Sequence, residues 1–440
     1  MHERQAMMKL GAFWYPTGYH IAAWRHPQVP ANAGINFQHC AEFARMAESA
    51  AFDFLFLADS MAVKGDDWHE LSRGAHRYVG QFEPLTLLSA LSAVTERIGL
   101  IASATTTYSH PYTLARQFAS LAHLSQGRVG WNLVTSQNPF EANNFGLAHH
   151  PEHDRRYQRA EEFYEVVAGL WRSWETDAFC YDKAAGRFFD PSKMQVLNHQ
   201  GEHFSVKGPL NVPACPGGAP VMVQAGASEA GRNLAARTSE VIFSAQHDFA
   251  VAKAFYQDIR RRAALANRPA GMPLVMTGVF PFVGHTRQEA QDKFERLQML
   301  IDDRVGLALL QVQLGGVDLS ECDLDGPLPD IPPSNASQSR RELLVALAQR
   351  ENYSIRQLYR HVAGARGHWQ LIGTPQQVAD EMEQWFLGGA TDGFNIMAPW
   401  LPGGMADFIT LVVPELRRRG LFRHHYQGQT LRDHLGLPCV

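Results

Sequence analysis

Six short blocks of this chain carry residues able to do chemistry. In Val221-Met222-Val223-Gln224-Ala225-Gly226-Ala227-Ser228-Glu229 an apolar run ends in small residues and a serine, and a helical pattern follows. A strand enters a helix there through a tight turn. Gly226 and Ala227 let a ligand approach the backbone. Ser228 suits the N-cap, where its oxygen accepts from a first-turn amide. A helix N-terminus carries unpaired N–H groups and about half a positive charge, so this block can hold an anion such as phosphate. An ordinary capped helix has the same pattern, so the turn alone assigns no ligand.

Three other apolar runs also end in polar residues. Asp59 follows 53–58, Thr105 follows 98–102, and Ser136 follows 128–134, which itself contains Asn132. Taken singly, each reads equally well as a cap, a turn former or a loop residue. His153-Asp154-Arg155-Arg156-Tyr157 opens a helix, and its His153 and Tyr157, four apart, project to one side. A surface histidine with a half-buried tyrosine is the plain alternative. His20, in Pro16-Thr17-Gly18-Tyr19-His20, comes just after the first apolar run. An imidazole there suits proton transfer near neutrality, or is a satisfied loop histidine. No G-x-G-x-x-G dinucleotide fingerprint, Walker motif or G-x-S-x-G elbow occurs. Cys40, Cys180, Cys215, Cys322 and Cys439 are scattered and odd in number, which points to reduced thiols and no metal site or disulfide framework.

These residues need elements to hold them. Candidate strands lie at 9–13, 53–58, 98–102, 128–134, 220–225, 241–244, 275–283 and 393–397. Between and after them lie candidate helices at 38–51, 84–96, 111–124, 154–174, 228–238, 249–266, 287–310, 375–387 and 405–419. Runs such as Phe54-Leu55-Phe56-Leu57 are apolar throughout, as strands buried on both faces must be. Alternation of this kind implies an α/β fold with a parallel sheet. Periodicity leaves a (β/α)8 barrel and a doubly wound open sheet both open. In a barrel, the polar strand ends gather at one mouth. Two stretches interrupt the alternation. Residues 179–206 have β and turn character and read as a hairpin excursion. Residues 315–339 are rich in Gly, Pro, Asp and Ser and read as a long, lid-like loop, with helical patterns following at 340–349 and 355–359.

Composition bounds the function. The 440 residues suit one barrel domain, 1–440, with insertions at about 179–206 and 315–339. A 45% hydrophobic and 19% charged composition is that of a soluble globular protein. The net charge of −4 gives no reason to expect nucleic acid or an anionic membrane. No run is apolar and long enough for a signal peptide or a membrane span, so a cytoplasmic protein is expected.

Phe54-Leu55-Phe56-Leu57-Ala58-Asp59-Ser60, Ala104-Thr105-Thr106-Thr107-Tyr108, Gly127-Arg128-Val129-Gly130-Trp131-Asn132-Leu133-Val134-Thr135-Ser136 and His150-Pro151-Glu152-His153-Asp154-Arg155-Arg156-Tyr157 occur in an order and spacing with a precedent. The chain resembles the bacterial luciferase-like flavin-dependent monooxygenases, in the branch of the nitrilotriacetate, EDTA and dibenzothiophene sulfone monooxygenases. The resemblance runs from Leu10-Gly11-Ala12-Phe13 to Leu431-Arg432-Asp433-His434-Leu435-Gly436-Leu437. It implies a TIM barrel, and an FMNH2- and O2-dependent monooxygenase of a small organic substrate, acting by C–N, C–S or ring oxidation. A separate NAD(P)H:flavin reductase would supply FMNH2, and the oxygenase would be a homodimer or homotetramer. Carried over residue by residue, Asp59, Thr105, His153, Tyr157 and Ser228 would contact FMN, with Asn132 and Ser136 as additions from the neighbouring strand end. The phosphate would lie near Tyr157 and the Ser228 turn. His20 would be the catalytic residue, donating a proton or hydrogen bond to the activated oxygen. The family often has His-His where this chain has Tyr19-His20, which leaves that end of the pocket open. Phe13, Trp14, Phe56 and Trp131 either wall the flavin ring or belong to the core. Two rival readings remain: a deazaflavin-dependent oxidoreductase of the same fold, and a non-catalytic flavin-binding protein.

Overall fold

In the computed structural model, which describes residues 7–331, 338–364 and 367–438, nine parallel strands run through the molecule. They are β1 (Lys9–Trp14), β2 (Phe54–Leu57), β3 (Gly99–Thr105), β4 (Val129–Val134), β5 (Val221–Gln224), β6 (Val241–Ser244), β7 (Leu274–Val283), β8 (Trp369–Gly373) and β9 (Gly393–Ile396). Eight of them close a barrel, in which β9 and β2 flank β1 and β7 joins β6 to β9. The choice between barrel and open sheet is thus settled: this is a (β/α)8 barrel. The long β7 does two jobs. Its first half completes the barrel against β6 and β9, and from Val279 to Val283 it pairs with β8.

Every residue of β2, β5 and β9 is buried, because each strand has side chains in the lumen and beneath the helical layer. Residues alternate between the two. Leu10, Ala12 and Trp14 pack outward with Phe43, Phe118 and Phe163, while Phe13, Phe54 and Phe56 pack inward. The lower end of the lumen is plugged. Helix Leu431–Leu435 places Leu431 and Leu435 in the inner core with Phe54, Ile101 and Val221. A Cβ on Gly99 would fall 2.4 Å from the Leu431 side chain, so only glycine fits against the plug. With that end shut, ligands have the C-terminal strand ends.

The hairpin excursion is a two-stranded antiparallel ladder, His199–Gln200 against Ser205–Val206. The segment 315–331 is packed. Leu319 is fully buried, and Leu324 and Leu328 pack with Ile355, Leu358 and Tyr359 and with Ile21 and Ala22 of the loop after β1. The rest of the long loop, 332–337, lies outside the described residues, as does Cys439. Three elements depart from the sequence expectations. The single helix expected at 287–310 is two, Arg287–Met299 and Asp303–Gln313, the second capped by Asp302. Strand β8 has no counterpart among the candidate strands. The helix at 405–419 is three pieces, Gly403–Asp407, a π-helical turn Phe408–Val412, and Val413–Arg418. Pro414 explains the break, since it has no N–H to continue the α-helical ladder. Among the described residues no helix is long and apolar enough to cross a membrane.

Candidate functional site

A cavity of about 190 Å³ opens at the C-terminal ends of the strands. Its walls come from four strand ends and one helix: Asp59 and Ser60 after β2, Thr105 on β3, Val134 to Asn138 after β4, Gln224 to Gly226 after β5, and Tyr157 from the helix His153–Trp171. Asp59, Thr105, Ser136 and Tyr157, expected from the sequence to share a site, therefore do share one. The mouth is held by hydrogen bonds rather than by packing alone. Thr105 and Ser136 join their hydroxyls at 2.8 Å, and Thr105 Oγ1 accepts from Thr107 N–H at 3.1 Å. Ser136 has a left-handed backbone (φ 57°), uncommon for a non-glycine residue. Buried Arg156 holds it there, donating to the carbonyls of Ser136, Thr135 and Pro151. A guanidinium spent on three carbonyls fastens the β4 loop to the start of the following helix.

One side of the cavity is acidic. Glu141 is 2% exposed and lines the wall. Its Oε1 accepts from Ser60 Oγ at 2.8 Å and Met61 N–H at 3.1 Å. Its Oε2 has no hydrogen-bond partner among the described residues. Asn138 Nδ2 donates to Ser60 Oγ at 2.9 Å and to the Ala62 carbonyl at 3.1 Å, which fixes the β2 loop to the β4 loop. Burial pushes the Asp59 carboxyl up to about 7, and the negative charges of Glu83 and Glu141 push in the same direction. Neither Glu141 nor Asn138 was among the candidates. Asn138-Pro139 is a turn signal that marks the place but not the role. A glutamate opening a short helix ordinarily faces solvent near the helix dipole, and nothing in the sequence tells this one apart.

On the opposite side lies the small-residue turn. Ser228 caps the helix Glu229–Thr238, its Oγ accepting from Gly231 N–H at 3.1 Å. The Gly231 backbone faces Tyr157. A Cβ there would stand 2.9 Å from the Tyr157 hydroxyl and 3.1 Å from Ser228 Oγ, so the glycine leaves room where two hydroxyls converge on a helix N-terminus. Neutral hydroxyls and first-turn amides are the donor set a phosphate needs. The residues present thus fit the phosphate end of FMN. His153 sits outside the cavity lining, half-exposed, with its ring 4.8 Å from that of Tyr157 and its Nδ1 2.8 Å from Asp154 Oδ1.

The lumen below the cavity has two halves. Asn132 donates to Ser103 Oγ at 2.7 Å beneath the cavity and does not line it. Across the lumen, the rings of Phe13, Phe56 and Phe243 meet at 5.4–6.0 Å, and Phe243 stacks on His368 at 5.5 Å. Tyr19 meets Phe13, Phe280 and His368 edge-on. His20 is 1% exposed, lies over Phe280 and accepts from Ala22 N–H through Nδ1 at 3.2 Å. The structure does not bring His20 into the cavity lining. Of the aromatics expected near the ring, Phe13 and Phe56 face the lumen. Trp14 and Trp131 face outward, and Trp131 Nε1 donates to the Ala104 carbonyl at 3.1 Å. Among the described residues no three His, Cys, Asp or Glu group as metal ligands.

Comparison with known proteins agrees with this architecture. The luciferase-like monooxygenase family matches residues 13–392. The chain is 51% identical to N-acetyl-S-(2-succino)cysteine monooxygenase of Bacillus subtilis, over 99% of this chain and 98% of that one. It is 50% identical to nitrilotriacetate monooxygenase component A of Aminobacter aminovorans, over 98% and 96%. Among solved structures, a riboflavin lyase with modified FMN and riboflavin superposes with a TM-score of 0.83 at 30% identity, covering 98% of this chain and 96% of that one.

Proposed function

The chain belongs to the luciferase-like monooxygenase family, and from that premise we propose that it oxygenates a small organic molecule with O2 and reduced FMN, the flavin arriving from a separate NAD(P)H:flavin reductase. The observation that carries the cofactor reading is the cradle of Tyr157, Ser228 and Gly231 beside the cavity. Support for a separate reductase comes from a relative named as one component of a monooxygenase. In this reading FMN, when bound, supplies the electrons and the site of O2 activation. The phosphate is held by the Tyr157 and Ser228 hydroxyls and the first-turn amides of Glu229–Thr238. Thr105 and Ser136, tied to each other, present a fixed polar edge. Asn132 orients that edge from below through Ser103, and His153 screens Tyr157 from water at the rim. Asp59 and Glu141 bring carboxyl groups to the far wall. Oxygen transfer puts one atom of O2 into the substrate and releases the other as water, with two electrons drawn from NAD(P)H.

C–N, C–S and ring oxidation all remain compatible with this site, and the same reading includes a cytoplasmic homodimer or homotetramer. The test is oxygen uptake in a coupled assay with a generic flavin reductase, NADH and FMN, run across nitrogen- and sulfur-containing small acids. Substrate-dependent product with matching oxygen uptake is expected. NADH oxidation by the protein and FMN alone, at the coupled rate, overturns the two-component reading. Hydride transfer without oxygen uptake would favour a deazaflavin enzyme, and flavin binding without turnover a non-catalytic flavin protein.

A further inference from the structure

Two carboxylates that act on Asp59 are held in place by hydrogen bonds, Glu141 in the cavity wall and Glu83 outside the lining. Glu141 is tied through Oε1 to Ser60 and Met61, and Asn138 holds Ser60 in turn. Glu83 is locked as the N-cap of Pro84–Ser92, accepting from Leu85 N–H at 2.9 Å and Thr86 N–H at 2.7 Å. Both negative charges raise the proton affinity of Asp59, in addition to burial, and the Ser60 N–H hydrogen bond opposes them. Among the described residues, the other titratable groups lining the cavity are Lys64, Tyr78 and Tyr157. Arg156, behind Ser136, spends its N–H groups on carbonyls. An anionic ligand with its phosphate on the Tyr157 and Ser228 side still adds negative charge to the same small cavity, across from a carboxyl that burial and two neighbouring carboxylates already hold well above the ordinary range. The least costly response is to bind a proton there.

We propose that reduced FMN binds together with a proton taken up at Asp59, so that the cavity holds this carboxyl as a neutral acid while the anionic cofactor is in place. The inference rests on the flavin reading above. It makes Asp59 a proton-binding residue of the site, where a carboxylate would repel the ligand. The direction of the linkage is fixed. Burial and the neighbouring carboxylates push the Asp59 carboxyl up to about 7 in the free protein, and the bound anion moves it higher. Affinity is therefore insensitive to this group well below pH 7 and falls as pH rises above it, by up to about tenfold per pH unit.

The test is anaerobic calorimetry of photoreduced FMN binding to the full chain, at pH 7.5 in three buffers of different ionisation heat, with affinities followed to pH 8.5. Asp59→Asn keeps the shape of the side chain and removes the proton site. Subtracting its proton count cancels ionisation of the flavin's own phosphate and ring. The wild-type protein is expected to take up a substantial fraction of one proton more than Asp59→Asn and to show the steeper loss of affinity. Glu141→Gln removes one of the two fixed charges and is expected to move the onset of that loss to lower pH. Equal proton counts and equal slopes in wild type and Asp59→Asn overturn the proposal while leaving the flavin reading intact. An unmoved onset in Glu141→Gln also counts against it. Failure of both oxidised and reduced FMN to bind the wild-type protein overturns the flavin reading and this inference together.

Discussion

Ser103, Thr105 and Asn132 occupy one half of the barrel lumen and its mouth, and Phe13, Phe56, Phe243 and Phe280 occupy the other. In the first, Asn132 is hydrogen-bonded to Ser103 and Thr105 to Ser136, and Thr105 opens into the cavity. The second is closed by ring contacts at 5.1–6.4 Å that run through Tyr19, His20, Phe282 and His368. The same strand geometry therefore yields a hydrogen-bonding wall and a packing wall. The contrast teaches that affinity and stability are written on different strands. Substitutions on the β3 to β5 side should alter what binds, and substitutions on the β1, β6 and β7 side should alter how firmly the barrel holds.

The largest separation is expected from Tyr157→Phe combined with Ser228→Ala. Hydrogen bonds to a charged group contribute roughly 1.5–3 kcal/mol each. Losing two should weaken FMN binding by about a hundredfold or more. The cost to folding is one helix cap, about 1 kcal/mol, because Ser228 Oγ also accepts from Gly231 N–H. Flavin titration and a urea melt on the same protein read both quantities. An unchanged dissociation constant would remove the phosphate from this side of the cavity.

The mirror experiment is Phe280→Ala. Phe280 is fully buried and touches Tyr19, His20 and Phe282. Deleting such a ring typically costs about 3–5 kcal/mol. A lowered urea midpoint is expected, with FMN affinity in native buffer changed by less than about threefold. If affinity falls as far as in the double variant, the two halves of the lumen are one energetic unit and the contrast fails.

The same contrast marks how far the sequence could be read. Each barrel strand shows as an apolar run, because burial on both faces removes polar residues from it, and Val241–Ser244 was bounded to the residue. Strand β8 escaped because it is buried on one side only: Gln370 and Ile372 are partly exposed, so the run lacks an unbroken apolar signature. Among the site residues, Asp59, Thr105, Ser136 and Tyr157 could be found because strand ends and helix starts have sequence markers, and those markers converge on one mouth. Glu141 could not, because its burial depends on Ser60 and Met61, some eighty residues away in sequence. A strand-end rule also cannot say whether a loop side chain turns toward the mouth or away from it, and His20 is the case in point.

The smallest expected effect on binding belongs to His20, and it tests the packing wall at its edge. A backbone N–H can only donate, so Nδ1 must be the acceptor of the Ala22 bond, and the ring proton sits on Nε2. An imidazole in that state can offer a hydrogen bond through Nε2, but it has no second proton to deliver unless the Ala22 bond is first given up. Its ring is also laid over Phe280 and only 1% exposed. We therefore expect His20→Ala to leave FMN affinity nearly unchanged and to lower stability by roughly 1 kcal/mol for the lost hydrogen bond, with further loss from packing. His20→Asn is the sharper variant, since its Oδ1 can replace Nδ1 as acceptor for Ala22 while removing the imidazole. Stability and the ratio of hydrogen peroxide to product in the reductase-coupled assay are read together. Recovery of both in His20→Asn makes this residue part of the aromatic wall, a fastener of the loop after β1. Recovery of stability with peroxide still replacing product would instead place the imidazole in the chemistry, and would mean that the aromatic half of the lumen does more than pack.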